Sequence, residues 1–399
     1  MEKKLFDGNE FTEDKDCSLN PPVFYTGKEA NSGFFSSEKR AWQSAPTVVV
    51  TKKGRMFCTF SGDNSGTGDE CPNNYNVLIY SDDKGETWTD NVLVIDHNDS
   101  VRVHGPILYV DKTNTLWLFW AQSYIYWDSR GGTWVSKCKD PDADTLVWSE
   151  PKRLCHGVMA GVPIENSKGE YMIPVSIWKN VTRHAFNHIP ELEYSCVYTS
   201  TDGENFTLRG YADEPDTTFD ENYIVERSDG SYMMIMRCSK SISVSYSYDD
   251  AKTWTTPKKL MDHTSSRSFM SKFSNGNILL VTNDPENVPA EHLGTEHGRI
   301  QMTAFLSTDG GETFSHKLLL YKEGMVSYPS GMIDDNDRVY VSFDRNRYTD
   351  GEIYMSSFTQ EDIIAGKCET EGSYAAKLIM RSDKVQGKHK VFEDGSTYK

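Results

Sequence analysis

The stretch SDDKGETW at residues 81–88 recurs as SYDDAKTW at 247–254, as STDGGETF at 307–314 and, shortened, as STDGENF at 200–206. A repeated signal constrains this 399-residue chain more than any single residue, because each copy marks one supersecondary unit that must stack on its neighbours to bury its apolar faces. In the pattern Ser-x-Asp-x-Gly-x-Thr-Trp each position has a mechanical task. The short Ser and Asp side chains accept hydrogen bonds from turn amides that an exposed hairpin tip otherwise leaves to water. Gly supplies the positive φ that closes the turn, and the terminal aromatic points back into the layer between sheets. Asp83, Asp249 and Asp309 are therefore read as hairpin staples and not as catalytic acids.

The gap between the boxes at 81 and 200 is filled by a degenerate copy, KDPDADTLVWSEP at 139–151, ending on Trp148. A sixth position falls near SSFTQEDIIAG at 356–366. Six units of roughly 50–60 residues indicate a propeller. Between the boxes, short alternating or apolar runs come in sets bounded by turn residues: APTVVV, RMFCTF and YNVLIYS; HGPILYV, TLWLFWA and GTWVSKC; ENYIVER, SYMMIMR and SISVSYS; RSFMSKF, NILLVTN and RIQMTAFLS; MVSYPSGMI, RVYVSF and EIYMSSF. Three such strands plus the one after each box make a four-stranded antiparallel blade. The expected fold is all-β, a six-bladed β-propeller. It should occupy residues 20–381 as one domain, with an N-terminal extension at 1–19 and a tail at 382–399. The strand around PPVFYTG is expected to close the ring by pairing with the last blade.

Composition removes several function classes. The net charge of −17 comes without any basic block, so nucleic acid is not expected as a partner. No run of 18 apolar residues is present, so no membrane span is expected. The opening MEKKLFDGNEFTEDKD lacks an apolar signal region. A cytoplasmic location is therefore expected, or a secreted or periplasmic one if a signal was removed. The eight cysteines are scattered with no CxxC pair and are read as buried free thiols. HAFNH places His184 and His188 four apart without a third ligand at metal spacing, so no metal and no cofactor is expected. Both histidines instead suit a loop at the mouth of the propeller, in contact with substrate. DDNDR at 334–338 lacks the glycine and distal Glu of a calcium loop and reads as a solvated turn.

Boxes of this kind on a six-bladed pattern resemble the sialidase (neuraminidase) superfamily, over roughly residues 20–365. The boxes alone also occur on non-sialidase propellers, so the residues between them carry the comparison. FDENYIVERSDGSYMMIMR is similar to the sialidase segment with a catalytic Glu at the start of one strand and a substrate-binding Arg at the end of the next, which the resemblance maps to Glu221 and Arg237. GRIQMTAFLSTDGGETF places Arg299 where sialidases carry a second carboxylate-binding Arg. GMVSYPSGM puts Tyr328 at the nucleophile position, and DRVYVSFDR puts Asp344 where a supporting Glu usually stands. The WQ-x-x-P opening, which includes Gln43 as a further substrate contact, looks like a bacterial branch described as sialidase-like, as do YP-x-G and FT-x-ED-x-x-AG near the end.

The chemistry explains why these residue types belong together. Sialidases replace the usual carboxylate nucleophile of a glycosidase with Tyr, since the carboxylate at the anomeric carbon of the substrate would repel a negative nucleophile. A Glu in hydrogen-bond reach takes the phenolic proton. Arginine forks grip the substrate carboxylate in a bidentate way. Two departures stand out. The Phe/Tyr-Arg-Ile-Pro motif that supplies the first sialidase Arg aligns with RAWQSAPTVVV, so Ser44 stands where that Arg should be, and Arg40 is four residues too early. The general acid belongs in the loop SGDNSGTGDECPNN: Asp69 is the first choice, with Asp63 and Glu70 left open.

The resemblance thus implies an exo-glycoside hydrolase that removes a terminal carboxylate-bearing sugar with retention. Its expected partner is an acidic-sugar-containing glycan, such as one ending in sialic acid, a uronic acid or Kdo. Two rivals are carried. One is a polysaccharide lyase on the same propeller, with His104 in VRVHGP as its base and Arg102 beside it in the pocket. The other is a non-catalytic carbohydrate-binding propeller, which the loss of Arg at position 44 makes credible.

Overall fold

The structure is a computed structural model that describes residues 14–68, 70–98, 100–179, 185–217 and 219–382. Among these, the strands gather into six antiparallel sheets in chain order, five of four strands and the first of five. A short parallel pair, Trp127–Asp128 with Ala185–Phe186, lies outside them. This is the expected all-β, six-bladed propeller. The first strand of each blade is Trp42–Val50, Val101–Val110, Ile164–Glu165, Tyr223–Glu226, Phe269–Lys272 and Val326–Ile333 in blades 1 to 6. Each hairpins onto the second strand: Met56–Asp63, Leu116–Tyr124, Tyr171–Ser176, Tyr232–Arg237, Ile278–Asn283 and Val339–Arg345.

Burial explains the sequence pattern. Blades pack face to face, so an inner strand has no solvent side, and every residue of Met56–Asp63 and Leu116–Tyr124 is buried. At the rim alternation returns, and in Thr207–Ala212 only Gly210 and Ala212 are buried. The apolar core lies between blades. One cluster joins Val225 and Met233 to Phe269, Leu279, Val326 and Phe343, and another joins Val48, Phe60 and Tyr75 to Ile353 and Met355 of the last blade. All eight cysteines are free and seven are buried, Cys368 being the half-buried exception.

The box turns behave as staples. Ser81 Oγ accepts from the Gly85 amide at 2.9 Å and donates to Asp83 Oδ1 at 2.7 Å. Asp83 in turn accepts from the Thr87 amide at 2.9 Å and the Thr87 hydroxyl at 2.6 Å. The bonds from Thr87 and Ser81 hold the Asp83 carboxyl well below the usual carboxylate range. Asp249 and Asp309 repeat the arrangement with Thr253 and Thr313. In blade 6 the box position is taken by a helix, Gln360–Ala365, opened by a Thr359/Asp362 capping box.

Ring closure differs from expectation. Val23–Tyr25 pairs with Leu93–Asp96 on the outside of blade 1, and the last blade is built wholly from Val326–Met380. Side chains on the first strand of blade 1 close the ring instead. Gln43 Nε2 donates to the Gly351 carbonyl at 2.6 Å, the Ala45 amide to Asp344 at 3.0 Å, and Thr47 Oγ1 lies 3.1 Å from Ser330 Oγ. The last blade therefore has no strand position left for a distant segment. Lys15–Leu19 packs on blade 2, where Gln122 Nε2 donates to the Ser18 and Asn20 carbonyls. No helix among the described residues is long and apolar enough to cross a membrane.

Candidate active site

The blades are in register at one end of the axis. The turn after each first strand contains a residue at positive φ: Gly54, Asn114, Gly169, Gly230, Gly276 and Asp337. Counting back nine positions from each gives Ala45, Gly105, Ala160, Glu221, Arg267 and Tyr328. Blades 1 to 3 present small residues at this position and blades 4 to 6 present large polar ones. In blades 1, 2 and 6 the position is the first residue of a two-residue bulge completed by Pro46, Pro106 or Pro329, opposite buried Phe60, Trp120 or Phe343. Ala45, Gly105 and Tyr328 all have positive φ there, at 55°, 59° and 54°. A left-handed conformation costs an L-residue about 1–2 kcal/mol, so Tyr328 is held against a local preference.

Tyr328 is buried, and four guanidinium groups surround its ring. The centres of Arg347, Arg267, Arg299 and Arg237 lie 4.1, 5.1, 5.5 and 6.0 Å from the ring centroid. Glu221 is held by two of them. Arg237 Nη1 donates to its Oε2 at 2.6 Å, and Arg267 donates to Oε1 from Nε at 3.0 Å and Nη2 at 2.8 Å. Burial alone would push the Glu221 carboxyl up, but Arg267 and Arg237 outweigh it and hold it below the ordinary value. The Ser265 carbonyl, on a residue at φ 53°, accepts from Arg237 Nη2 at 2.8 Å and Arg299 Nη2 at 3.0 Å, fixing the two forks side by side. Arg299 also meets Glu296, which accepts from the Tyr348 hydroxyl at 2.9 Å. The neighbouring Asp220 accepts from the Arg237 amide at 3.0 Å and from Ser176 at 2.7 Å, and burial raises its carboxyl to about 6.

Asp344 is fully buried at 0% exposure and accepts from Ser44 Oγ, from the Ala45 amide and from Ser327 Oγ at 2.6 Å. Gln43 is drawn away from the cluster, its amide group shared between Gly351 and Arg40. Arg40 points the same way, bonding Asn91 at 2.7 Å. Of the candidates for the acid, Asp69 lies outside the described residues. Asp63 is turned into its own loop, accepting from the Ser65 amide and hydroxyl. Glu70 reaches the cluster, 3.0 Å from Arg102 Nη2 and 3.6 Å from Arg347 Nη1. Burial opposes its charge, but Arg102 and Arg347 prevail and hold it below the usual range.

Arg102 and His104 line the blade 2 side. Arg102 packs 4.9 Å above Trp127, and His104 meets the same ring edge-on. His104 is buried with Nε2 3.1 Å from Ser123 Oγ. Burial, then Arg102 and Arg267, push it well below its ordinary pKa. Trp127 continues into Trp178 and Phe219, with ring centres 5.1 and 5.0 Å away. These two tryptophans, Phe186 and His188 line a cleft beside the cluster. His184 lies outside the described residues, and His188 is exposed and paired with Glu193.

Sequence reasoning missed Arg267, Arg347 and Ser265. For Arg267 a signal was present: RSFMSKFSNG repeats the spacing of ENYIVERSDG, which puts Arg267 in the place of Glu221.

Boxed hairpins on six blades, with a phenol and a carboxylate caged by guanidinium groups, define an Asp-box propeller with an arginine-rich centre. Within that class the chain belongs to the BNR repeat-like domain family, whose sequence profile matches residues 54–341. A sialidase of Bacteroides fragilis is 24% identical over 339 residues, covering 75% of this chain and 59% of that protein. The chain thus spans less than two thirds of that relative. A solved Hadza microbial sialidase superposes with a TM-score of 0.62 at 20% identity, over 82% of this chain and 68% of that one. An α-L-arabinanase of Penicillium chrysogenum shares the fold at a TM-score of 0.54 and 14% identity, over 86% and 99% of the two chains.

Proposed function

We propose that this protein is an exo-glycoside hydrolase that releases a terminal carboxylate-bearing sugar with retention, through a tyrosyl-glycosyl intermediate. The observation that carries the reading is Tyr328, strained onto a bulge inside four guanidinium groups and sharing Arg237 and Arg267 with Glu221. The site concentrates cations: Arg102, Arg237, Arg267, Arg299 and Arg347 gather around Tyr328, Glu70 and Glu221 in a chain whose total charge is −17. In the first half-reaction the phenolic oxygen of Tyr328 bonds the anomeric carbon as the glycosidic bond breaks. The phenolic proton passes to Glu221, and the departing oxygen takes a proton from an acid, assigned to Asp69. Water then cleaves the tyrosyl bond, giving its proton to Asp69 while Glu221 returns one to Tyr328. Arg237 and Arg299, aligned by the Ser265 carbonyl, grip the substrate carboxylate.

The lyase reading would use His104 as its base, and that imidazole is buried with Nε2 engaged by Ser123 Oγ at 3.1 Å, which disfavours it. The test of the hydrolase is release from a fluorogenic sialoside by wild type and by Tyr328→Phe. Turnover that falls at least about a hundredfold in the mutant supports the nucleophile. Release that survives Tyr328→Phe rejects the mechanism, and no release by folded wild type rejects sialic acid and turns the assay to uronate and Kdo glycosides. Ligand binding without turnover of any of these would leave the non-catalytic propeller.

A further inference from the structure

Ser44 removes one guanidinium from the place where the resemblance puts it, yet the cluster holds more arginines than that pattern requires. We propose that Arg347 is the third guanidinium of the carboxylate clamp, a specificity-determining residue that this chain carries on blade 6 instead of on the first strand of blade 1. The inference rests on the acid-sugar reading above.

Five observations carry it. Asp344 stands at the position expected to support the missing Arg, but it takes Ser44, the Ala45 amide and Ser327 instead. Ser327 Oγ also accepts from Arg347 Nη2 at 2.8 Å, so the carboxylate that would have oriented an Arg at position 44 orients Arg347 through one hydroxyl. Arg347 lies two residues beyond the second strand of blade 6 and is 3% exposed, and its bond to Ser327 sets the direction of its fork. It is also the guanidinium nearest the ring of Tyr328, on which Arg237 and Arg299 converge as well. Finally, Nη1 of Arg347 meets Glu70 only at 3.6 Å, well beyond the 2.7–2.9 Å of a formed charge-assisted bond. An incoming carboxylate can therefore take that donor.

The other arginines are less suited. Arg267 has Nε and Nη2 committed to Glu221, and Arg102 packs on Trp127 with Nε and Nη2 on Asn74 and Glu70, so each offers only a single buried Nη1.

The test is calorimetric titration of the 2,3-unsaturated analogues of sialic acid and Kdo and the 1,2-unsaturated analogue of glucuronic acid, each alongside its methyl ester. Wild type, Arg347→Gln, Arg347→Lys and Arg299→Gln are compared. The proposal expects Arg347→Gln to weaken the acid by about 10–100-fold and the ester by no more than about twofold. Arg347→Lys, which keeps the charge but loses the fork, should fall between. Adding Ser44→Arg to Arg347→Gln should restore part of the preference for acid over ester. Equal losses for acid and ester would make Arg347 a purely structural support of Tyr328 and overturn the proposal. So would an unchanged preference in Arg347→Gln when Arg299→Gln abolishes it, with the acid-sugar reading intact. If wild type itself fails to prefer any acid over its ester, the acid-sugar reading falls and takes the proposal with it. Should Arg347→Gln not fold, Ser327→Ala serves: the charge stays, the relay to Asp344 is cut, and a selective loss for the acid is still expected.

Discussion

Replacing Arg267 by Gln tests whether the caged carboxylate is held by charge. Arg267 gives Glu221 two bonds, at 2.8 and 3.0 Å, and the side chains are 4% and 7% exposed. Removing one partner of a buried ion pair costs about 3–5 kcal/mol. Arg237 remains on the other oxygen at 2.6 Å, so the lower end, about 3 kcal/mol at pH 7, is expected. The pH dependence is the sharper signature. Because the folded Glu221 carboxyl lies below its unfolded value of 4.5, its contribution is present above that pH and is lost as pH falls through the folded pKa. With one cation fewer that folded pKa rises, so the deficit of the variant should be largest at pH 7 and shrink toward pH 4. Urea denaturation of both proteins at pH 7, 5.5 and 4.5, followed by tryptophan fluorescence, measures it. A deficit that stays flat with pH, or is smaller than about 1 kcal/mol, would refute the reasoning.

Four further outcomes follow from other parts of the fold. Ala45→Gly, which puts at φ 55° the residue type that blade 2 has at Gly105, should leave thermal stability unchanged or raise it by up to about 1 kcal/mol. Gly105→Ala should cost about 1 kcal/mol and no more, since an added Cβ meets nothing within 4 Å. Asp220 has a carboxyl raised to about 6, so its contribution is full below its unfolded value of 3.8 and is lost as pH rises through 6. Melting curves of Asp220→Asn against wild type should therefore move in favour of the variant between pH 4 and pH 7. Asp83→Ala should lower the melting temperature while leaving the affinity for acid-sugar analogues unchanged, because its carboxylate serves only its own hairpin.

What could be read in the sequence divides along the register of the repeat. The boxes and the inner strands obey fixed offsets within a blade, and periodicity reports such offsets, whereas Glu221, Arg237 and Tyr328 were placed by the family resemblance. Arg267 obeys the same offset as Glu221, so it too was legible once blades 4 and 5 were written one above the other. Ala45-Pro46, Gly105-Pro106 and Tyr328-Pro329 likewise mark one bulge three times. They single out Tyr328 as the one large side chain forced into that strained position. Ring closure was not legible, because pairing of a three-residue strand depends on which sheet edge is free, and local pattern does not report that. Glu70 and Arg347 stand on segments that leave the register, the loop after the second strand of blade 1 and the turn after that of blade 6. Their directions are set by tertiary partners, Arg102 for the first and Ser327 for the second. The propeller thus delivers six equivalent positions to one end of its axis. Three of them carry only Ala or Gly, while Glu221, Arg267 and Tyr328 occupy the other three. The off-register residues Glu70 and Arg347 reach the same cluster from outside the repeat, and they are the ones a repeat-based reading passes over.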